Sequence, residues 1–264
     1  MIELAGVSHR YEDVGGLRMH VAEAGDADAP PLLLLHGWPQ HWWMWRKVIP
    51  DLARTWRVLA PDLRGLGWTE APDGPYDKQR LADDVLGLMD VLGIERAPVI
   101  GHDWGAVAAQ LMTVTAPERV SAALILSVPQ LFERGTDPRQ AFGFAHMPIL
   151  SAPGADRYVP QLASFLLRIS GITGDEVKAY VDVLRDPARR RATVGYYRTF
   201  TTREAAGLLS SPRKRPDLPM RFMGGAGDPV CRYAPGLELV KGAAHFLPED
   251  QPEAVIAAAR SLFA

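Results

Sequence analysis

The sequence has almost no cysteine. Cys231 is the only cysteine in 264 residues, so no disulfide can form within the chain, and a metal site built from several cysteines is excluded. A single thiol fits a reducing compartment, and we expect a cytoplasmic protein.

Long apolar runs and an excess of charge are also missing. No stretch is long enough to cross a membrane, and the first residues carry acidic groups rather than the apolar centre of a secretory signal. The formal net charge is only −2, which gives no electrostatic reason to expect nucleic acid or an anionic membrane. The sequence therefore predicts a soluble protein with neither partner, and it is compatible with a homo-oligomer.

Short strand-like runs alternate with helical patterns in the first half of the chain. The helical patterns cover residues 78–92 and 104–115. The strand-like runs lie near residues 6–12, 17–23, 32–35, 56–60, 97–101 and 121–127. Fully apolar strands separated by helices predict an α/β fold, in which a mostly parallel sheet has helices on both faces. The two early alternating runs predict an antiparallel edge.

The strand pattern stops after residue 129 and returns near residues 220–223 and 237–240. We predict a helical cap at residues 130–215, inserted after the sixth strand, on a core formed by residues 1–129 and 216–264. Helical patterns in this insertion lie near residues 159–170, 175–185 and 189–207. A final amphipathic helix is predicted at about residues 252–263.

The stretch VIGHDWGA (99–106) predicts a sharp turn from a strand into a helix, with Asp103 at its centre. In nucleophile turns of this kind a serine usually stands between the two glycines. Gly101 and Gly105 allow the strand and the helix to approach closely. Asp103 is therefore a candidate nucleophile, although an aspartate can also simply cap a helix N-terminus.

The stretch HGWP (36–39) follows the third predicted strand. Hydrolases of this architecture stabilise an oxyanion with two backbone N–H groups, one from the residue after the nucleophile and one from this loop. We therefore predict that the backbone N–H groups of Trp104 and Trp38 form the oxyanion hole.

Two further polar residues follow the late strands. Asp228 lies in GAGDPV and His245 in AAHF, so the chain order is Asp103, Asp228, His245. This is the nucleophile–acid–base order of the α/β-hydrolase fold, in which the acid orients the histidine. A lone late histidine is more often structural, but the two earlier motifs favour a functional His245.

These motifs together resemble the soluble epoxide hydrolases of the α/β-hydrolase fold and, less closely, haloalkane dehalogenases. The resemblance extends over nearly the whole chain outside the cap. It rests on the stretches HGWP, WWMWR, APDLRGLG, GHDWGA, LSVP, YYR, GAGDPV and AAHFLPEDQPE. We interpret Asp62 and Arg64 of APDLRGLG as structural residues, a turn and an ion pair.

The resemblance implies a helix between the acid and the histidine, which this chain lacks. His245 follows Asp228 by only 17 positions, so the intervening PVCRYAPG can form at most a turn. This deletion puts Asp228 in question, and Glu133, after the sixth strand, is a weaker substitute.

The resemblance also implies proton donors on the cap, usually two tyrosines. Tyr197 matches the second of these, while His146 in FGFAHMP matches a variant in which a histidine replaces the first. Packing between cap and core is the alternative for both. Phe142 and Phe144, with Trp38 and Trp104, are expected to line an apolar substrate pocket.

An aspartate nucleophile indicates attack on an electrophilic sp³ carbon, because a carboxylate needs no base before it attacks. Epoxides and alkyl halides both qualify. Trp38 follows His-Gly where dehalogenases often carry asparagine, which favours the epoxide. The predicted function is hydrolysis of a small apolar epoxide by water, without metal or cofactor. The alternatives are a haloalkane dehalogenase and a small-molecule-binding protein without turnover.

Overall fold

The computed structural model describes residues 1–132, 137–210 and 213–264. Glu133, the substitute acid suggested by the sequence, lies outside the described residues.

An eight-stranded sheet forms the centre of the fold, in the order β1-β2-β4-β3-β5-β6-β7-β8. The two pairings of β2 are antiparallel and the remaining pairings are parallel. The predicted α/β fold with an antiparallel edge is therefore confirmed. The strands are β1 (Val7–Val14), β2 (Leu17–Ala24), β3 (Pro31–Leu35), β4 (Arg57–Pro61), β5 (Ala97–His102), β6 (Val120–Leu126), β7 (Met220–Gly225) and β8 (Glu238–Val240).

The hairpin at the sheet edge has a two-residue turn made of Gly15 and Gly16. Both glycines have positive φ, 58° and 85°, and Val14 pairs directly with Leu17 across the turn. Two positive φ values match the turn whose twist fits a tight hairpin, and glycine adopts them without steric cost. The double glycine therefore sets the register of β1 on β2.

The helices occupy the connections that the apolar periodicity predicts. Helix α3 covers the predicted residues 104–115, and α2 ends one residue before its predicted end. The helices are α1 (Ile49–Leu52), α2 (Lys78–Val91), α3 (Trp104–Thr115), α4 (His146–Ser151), α5 (Val159–Ile169), α6 (Gly174–Val181), α7 (Pro187–Thr199), α8 (Ala205–Ser210), α9 (Leu247–Asp250) and α10 (Pro252–Leu262). Within the described ranges, no helix combines the length and apolar character needed to cross a membrane.

The inner strands are buried because apolar side chains occupy both of their faces. Leu32 to Leu35 of β3 and Val99 and Ile100 of β5 are at most 1% exposed. Fully burying each such side chain contributes roughly 1.5–3 kcal/mol to folding. This rigid centre holds the carboxyl ends of β3, β5 and β7, where the candidate site residues follow.

Asp62, which the sequence suggested as structural, is fully buried beneath the loop that follows β3. Its carboxylate accepts the backbone N–H of Trp42 at 2.8 Å and that of Trp68 at 2.9 Å, and it binds His20 Nδ1 at 2.7 Å. Burial opposes the charge, but the His20 hydrogen bond lowers the pKa of Asp62 to about 2. Asp62 therefore fixes two loops beside the site.

Arg64 forms the predicted ion pair, with Asp84 as its partner. Its Nη2 lies 2.6 Å from Asp84 Oδ1, and both side chains are at most 8% exposed.

The helices α4 to α8 lie between β6 and β7, in the predicted cap. The predicted helix at 189–207 is interrupted, because α7 ends at Thr199 and a π-helical turn (Phe200–Glu204) leads into α8. Helix α4 was not apparent from the periodicity, since six residues are too short to establish it. The division of the chain into core and cap at residues 130 and 215 stays a prediction.

An ionic cluster ties α6 to the core. Arg46 binds Glu176 of α6 and, at 2.6 Å, Glu249. The hydroxyl of Tyr180, also on α6, donates to the same Glu249 carboxylate at 2.5 Å. This cluster fixes the position of α6 over the loop after β3.

Candidate active site

Asp103 occupies a strained turn between β5 and α3. Its φ is 51°, a left-handed value that a non-glycine residue rarely adopts. A Cβ on Gly105 would lie 2.3 Å from the carbonyl oxygen of Leu35, so that position requires glycine. The Asp103 side chain makes no capping hydrogen bond to α3. The side chain of Asp103 therefore does not cap this helix, and its strained backbone points to a functional carboxylate.

One carboxylate oxygen of Asp103 is held by the loop after β3. The backbone N–H of Trp38 donates to Asp103 Oδ1 at 2.9 Å. A Cβ on Gly37 would lie 2.2 Å from the same oxygen, so this close approach depends on glycine. The backbone N–H of Trp104 also helps to lower the pKa of Asp103. Both predicted oxyanion-hole amides thus face the Asp103 carboxylate.

His245 lies between two carboxylates. Its Nδ1 is 2.9 Å from Asp228 Oδ2, and its Nε2 is 3.7 Å from Asp103 Oδ2. The second contact is longer than a direct hydrogen bond. The ring of His245 is therefore oriented by Asp228 and directed at the free oxygen of Asp103.

Asp228 reaches this position although the segment that follows it contains only turns. The carboxylate is fully buried, and its Oδ1 accepts the backbone N–H of Val230 at 2.8 Å. The turn at 228–231 thus fixes the acid locally, and a following helix is not needed for that. The structure brings together the three residues of the predicted triad, and their catalytic roles stay predictions.

The charges of the triad stabilise one another. Burial disfavours the charged form of His245, but the negative charge of Asp228 and the nearby Asp103 carboxylate raise its pKa to about 10. Burial likewise opposes ionisation of Asp103, yet the nearby His245 lowers the pKa of this carboxyl. At neutral pH the site therefore holds an imidazolium between two carboxylates.

Tyr197 and His146 both lie over Asp103 in the predicted cap. Their ring centroids are 5.4 Å apart, and Tyr197 also packs edge-on against Trp38 and Trp104. Burial, followed by the charge of Asp103, raises the pKa of Tyr197 well above its ordinary value. Burial lowers the pKa of His146. Both groups are thus neutral N–H or O–H donors at pH 7.

The neighbouring Tyr196 has a different environment. Its hydroxyl donates to the backbone carbonyl of Arg64 at 2.7 Å and is fully buried. Of the two adjacent tyrosines, only Tyr197 lines the cavity described next.

A cavity of about 550 Å³ lies between Asp103 and the helices of the predicted cap. All the predicted pocket residues line it. Phe142, however, is 80% exposed, so it stands at the mouth rather than in the interior. The exposed apolar side chains of Ile149, Phe165 and Ile169 also belong to this mouth. The cavity walls are mainly apolar, which suits a lipophilic ligand.

Two residues near the site were not identified from the sequence. Thr193 Oγ1 accepts the indole N–H of Trp38 at 3.1 Å, and His102 Nε2 donates to the backbone carbonyl of His245 at 2.8 Å. His102 precedes Asp103, the predicted nucleophile, in GHDWGA and could have been found there. Thr193 lies 155 positions from Trp38, so no local pattern reveals this contact.

Among the described residues, no group of three His, Cys, Asp or Glu side chains is arranged to hold a metal ion. The absence of a cofactor stays a prediction.

Comparison with known proteins connects this geometry to one group of enzymes. The sequence profile of the alpha/beta hydrolase fold family matches residues 30–148. The chain is 33% identical to the soluble epoxide hydrolase of Corynebacterium sp. (strain C12), with 98% of each chain covered. It is 32% identical to epoxide hydrolase A of Mycobacterium tuberculosis (strain H37Rv), with 95% of each covered.

Solved structures of epoxide hydrolases are also similar to this chain. The structure of the epoxide hydrolase CorEH without ligand superposes with a TM-score of 0.84 at 30% identity, over 97% of this chain and 98% of the other. Epoxide hydrolase A from Mycobacterium thermoresistibile superposes with a TM-score of 0.77 at 27% identity, over 97% and 98% of the two chains.

Proposed function

This chain belongs to the soluble epoxide hydrolase family of the α/β-hydrolase fold, and we propose that it converts an apolar epoxide to a vicinal diol through an ester on Asp103. One observation carries the proposal. Asp103 has one oxygen bound by the Trp38 amide, while the other faces His245 at the base of an apolar cavity below Tyr197. Its partners are thus a small apolar epoxide and water.

In the first step Asp103 Oδ2 attacks an epoxide carbon. The nearby His245 lowers the pKa of Asp103 despite burial, so the carboxylate is ionised at neutral pH and needs no base. A bond forms between Oδ2 and the carbon while the carbon–oxygen bond of the ring breaks. The Trp38 amide keeps Oδ1 in place and leaves Oδ2 free to react.

The ring oxygen needs a proton as it leaves, because an alkoxide is strongly basic. Tyr197 donates this proton from the cavity wall, and His146 donates a second hydrogen bond. An alkoxide is more basic than a phenolate, so the raised pKa of Tyr197 keeps its proton available until the ring opens. The proton of the His245 imidazolium then restores the phenol.

In the second step water hydrolyses the ester. His245, now neutral and oriented by Asp228, takes a proton from water, and the hydroxide adds to the carbonyl carbon of Asp103. The amides of Trp38 and Trp104 stabilise the negative charge on Oδ1. The bond from that carbon to Oδ2 then breaks. The diol alkoxide takes the proton of the new carboxylic acid, and Asp103 and His245 return to their starting charges.

Ester formation is what makes His245 a base. A histidine with a pKa of about 10 holds its proton at neutral pH and cannot deprotonate water. Esterification removes the negative charge of Asp103, which lies 3.7 Å from His245 Nε2, and so lowers the pKa of the imidazole. The histidine thus becomes competent only when an ester is present.

A haloalkane dehalogenase is the second candidate. The indole N–H of Trp104 is buried, lines the cavity and has no hydrogen-bond partner among the described residues, so it could hold a halide. The indole N–H of Trp38, however, is bound by Thr193. Only one indole donor is thus available, and the Tyr197 hydroxyl favours a leaving group that needs a proton. A pure binding protein has no need of the complete triad.

Single-turnover hydrolysis in ¹⁸O-labelled water tests the proposal, with halide release measured in parallel on a panel of haloalkanes. The expected diol from the first turnover contains unlabelled oxygen, because its new oxygen comes from Asp103 Oδ2. Direct incorporation of the label into that diol refutes the covalent route. Faster turnover of haloalkanes than of epoxides favours the second candidate. A cytoplasmic location belongs to the proposal and is supported by the single cysteine.

A further inference from the structure

A buried lysine lies directly behind the active site. Lys78 is the first residue of α2 and is fully buried. Its ammonium donates to the backbone carbonyls of Tyr76 at 3.1 Å and Tyr196 at 2.8 Å, and to Glu204 Oε2 at 3.0 Å. All three of its N–H donors are therefore used, which is what a buried cation requires.

The partner, Glu204, comes from the predicted cap. Its Oε1 accepts the backbone N–H of Lys78 at 2.7 Å, while its Oε2 binds the Lys78 ammonium. One carboxylate thus binds both the N-terminus of α2 and the charged side chain of its first residue. Glu204 ends the π-helical turn Phe200–Glu204, and such turns occur frequently at functional sites.

This ion pair contacts Trp104 and the backbone next to Tyr197. The Lys78 ammonium lies 4.6 Å from the centre of the Trp104 ring, within cation–π distance. It also holds the carbonyl of Tyr196, the residue immediately before Tyr197. The pair therefore fixes the tryptophan that follows the nucleophile and the backbone that carries the proposed proton donor.

The pair is poorly explained by stability alone. Burial lowers the pKa of Lys78, although the charge of Glu204 opposes this effect. Buried ion pairs often stabilise a protein no better than apolar side chains of similar volume, because desolvation offsets the attraction. Such a pair does impose a specific geometry, since its donors and acceptors accept only one arrangement.

We propose that Lys78 and Glu204 are positioning residues, which place the Trp104 indole and the Tyr197 hydroxyl over Asp103 for opening of the epoxide ring. The inference rests on the proposed function, since it assigns Tyr197 the role of proton donor. It predicts an effect on ester formation only. Hydrolysis of the ester depends on His245, Asp228 and the two backbone amides, whereas the pair contacts Trp104 through its indole ring.

The test measures the two steps separately in the full-length protein. Ester formation is followed by single-turnover rapid quench and intact-protein mass, and hydrolysis by the decay of the ester. Lys78→Met and Glu204→Gln are each expected to slow ester formation about 10-fold, which is a typical size for the coupling energy between residues in contact. Both variants are expected to leave hydrolysis of the ester unchanged. Glu176→Gln, which alters the ionic contact between α6 and Arg46, is the matched control and retains both rates.

A double-mutant cycle distinguishes positioning from a general structural role. If Lys78 acts through Tyr197, the variant Lys78→Met/Tyr197→Phe forms ester no more slowly than Tyr197→Phe alone. Losses that multiply in the double variant, or equal losses in both steps, overturn the proposal. Glu204→Gln keeps the volume and one acceptor oxygen but loses the charge and the second acceptor, so it serves as the second variant if Lys78→Met does not fold.

Failure of the broader proposal gives a different result. If Asp103 forms no ester, no adduct appears in the wild-type protein or in His245→Gln. If the ester forms but Lys78→Met and Glu204→Gln react at wild-type rates, only the positioning role is wrong.

Discussion

Replacing Asp103 with asparagine is expected to lower the pKa of His245 from about 10 to about 7. The carboxylate oxygen and His245 Nε2 are 3.7 Å apart, and two unit charges at that distance attract by about 4 kcal/mol at an effective dielectric constant near 20. Each pK unit corresponds to about 1.4 kcal/mol, so losing the Asp103 charge costs about three units. Asp103→Asn has the same charge as the ester.

The measurement is an NMR titration of the histidine ring carbons, with the His245 signal assigned by its loss in His245→Gln. Burial lowers the pKa of both His102 and His146, the first to about 4, so both shift away from the raised pKa of His245. Asp182→Asn neutralises an exposed carboxylate of the predicted cap and serves as the control. It is expected to leave the His245 titration unchanged.

A kinetic measurement follows from the same reasoning. The decay of the wild-type ester is expected to accelerate as pH rises through about 7, because His245 becomes neutral there. If His245 titrates at the same pH in Asp103→Asn and in wild type, or if ester decay is independent of pH between 5 and 9, the two charges are not coupled. The proposal that His245 becomes a base only after the ester has formed is then wrong.

Five other variants or conditions test separate parts of the site. His245→Gln is expected to form the ester without hydrolysing it, so intact-protein mass increases by one substrate; an unmodified mass contradicts the scheme. Tyr197→Phe is expected to slow epoxide opening by about 10²-fold, measured by single turnover, as for loss of a general acid. Tyr196→Phe instead loses about 1 kcal/mol of unfolding free energy in urea, because its hydroxyl binds a core carbonyl, with opening much less affected. Gly37→Ala is expected to abolish ester formation, because its Cβ would lie 2.2 Å from Asp103 Oδ1. The raised pKa of His245 contributes to the free energy of unfolding; this contribution is complete below pH 6.5 and is lost as pH rises towards 10. Between these pH values the Tm of the wild-type protein is therefore expected to fall more than the Tm of His245→Gln.

The core of the fold could be predicted because its signals are local. Short, fully apolar runs identify β3 and β5, and a helical pattern identifies α3, so these elements place Asp103 without further information. The order of the catalytic candidates along the chain then predicts their meeting at the carboxyl ends of parallel strands. The absence of a helix after Asp228 does not change the position of this residue, because the backbone N–H of Val230 binds its carboxylate within the same turn.

The helices of the predicted cap are harder to predict from the sequence, because their arrangement depends on contacts between distant residues. Helix α4 is too short for periodicity, and the π-helical turn before α8 looks like continuous helix in the sequence. The Lys78–Glu204 pair joins residues 126 positions apart, which no local pattern reveals. Phe142 was identified as a lining residue, but its exposure depends on how the surrounding helices pack.

The imidazolium between two carboxylates has a consequence for what passes through the cavity mouth. Asp103, His245 and Asp228 carry a net charge of −1 before reaction. In the proposed mechanism His245 is neutral after ester formation and only Asp228 is charged, so the net charge is again −1. The protons that the two proposed steps need then circulate among the side chains and water, and the site exchanges only uncharged molecules with solvent. The entrance is bordered by Phe142, Ile149, Phe165 and Ile169, whose apolar surface favours the passage of an uncharged epoxide. The same surface offers no polar group that could replace the hydration of an ion.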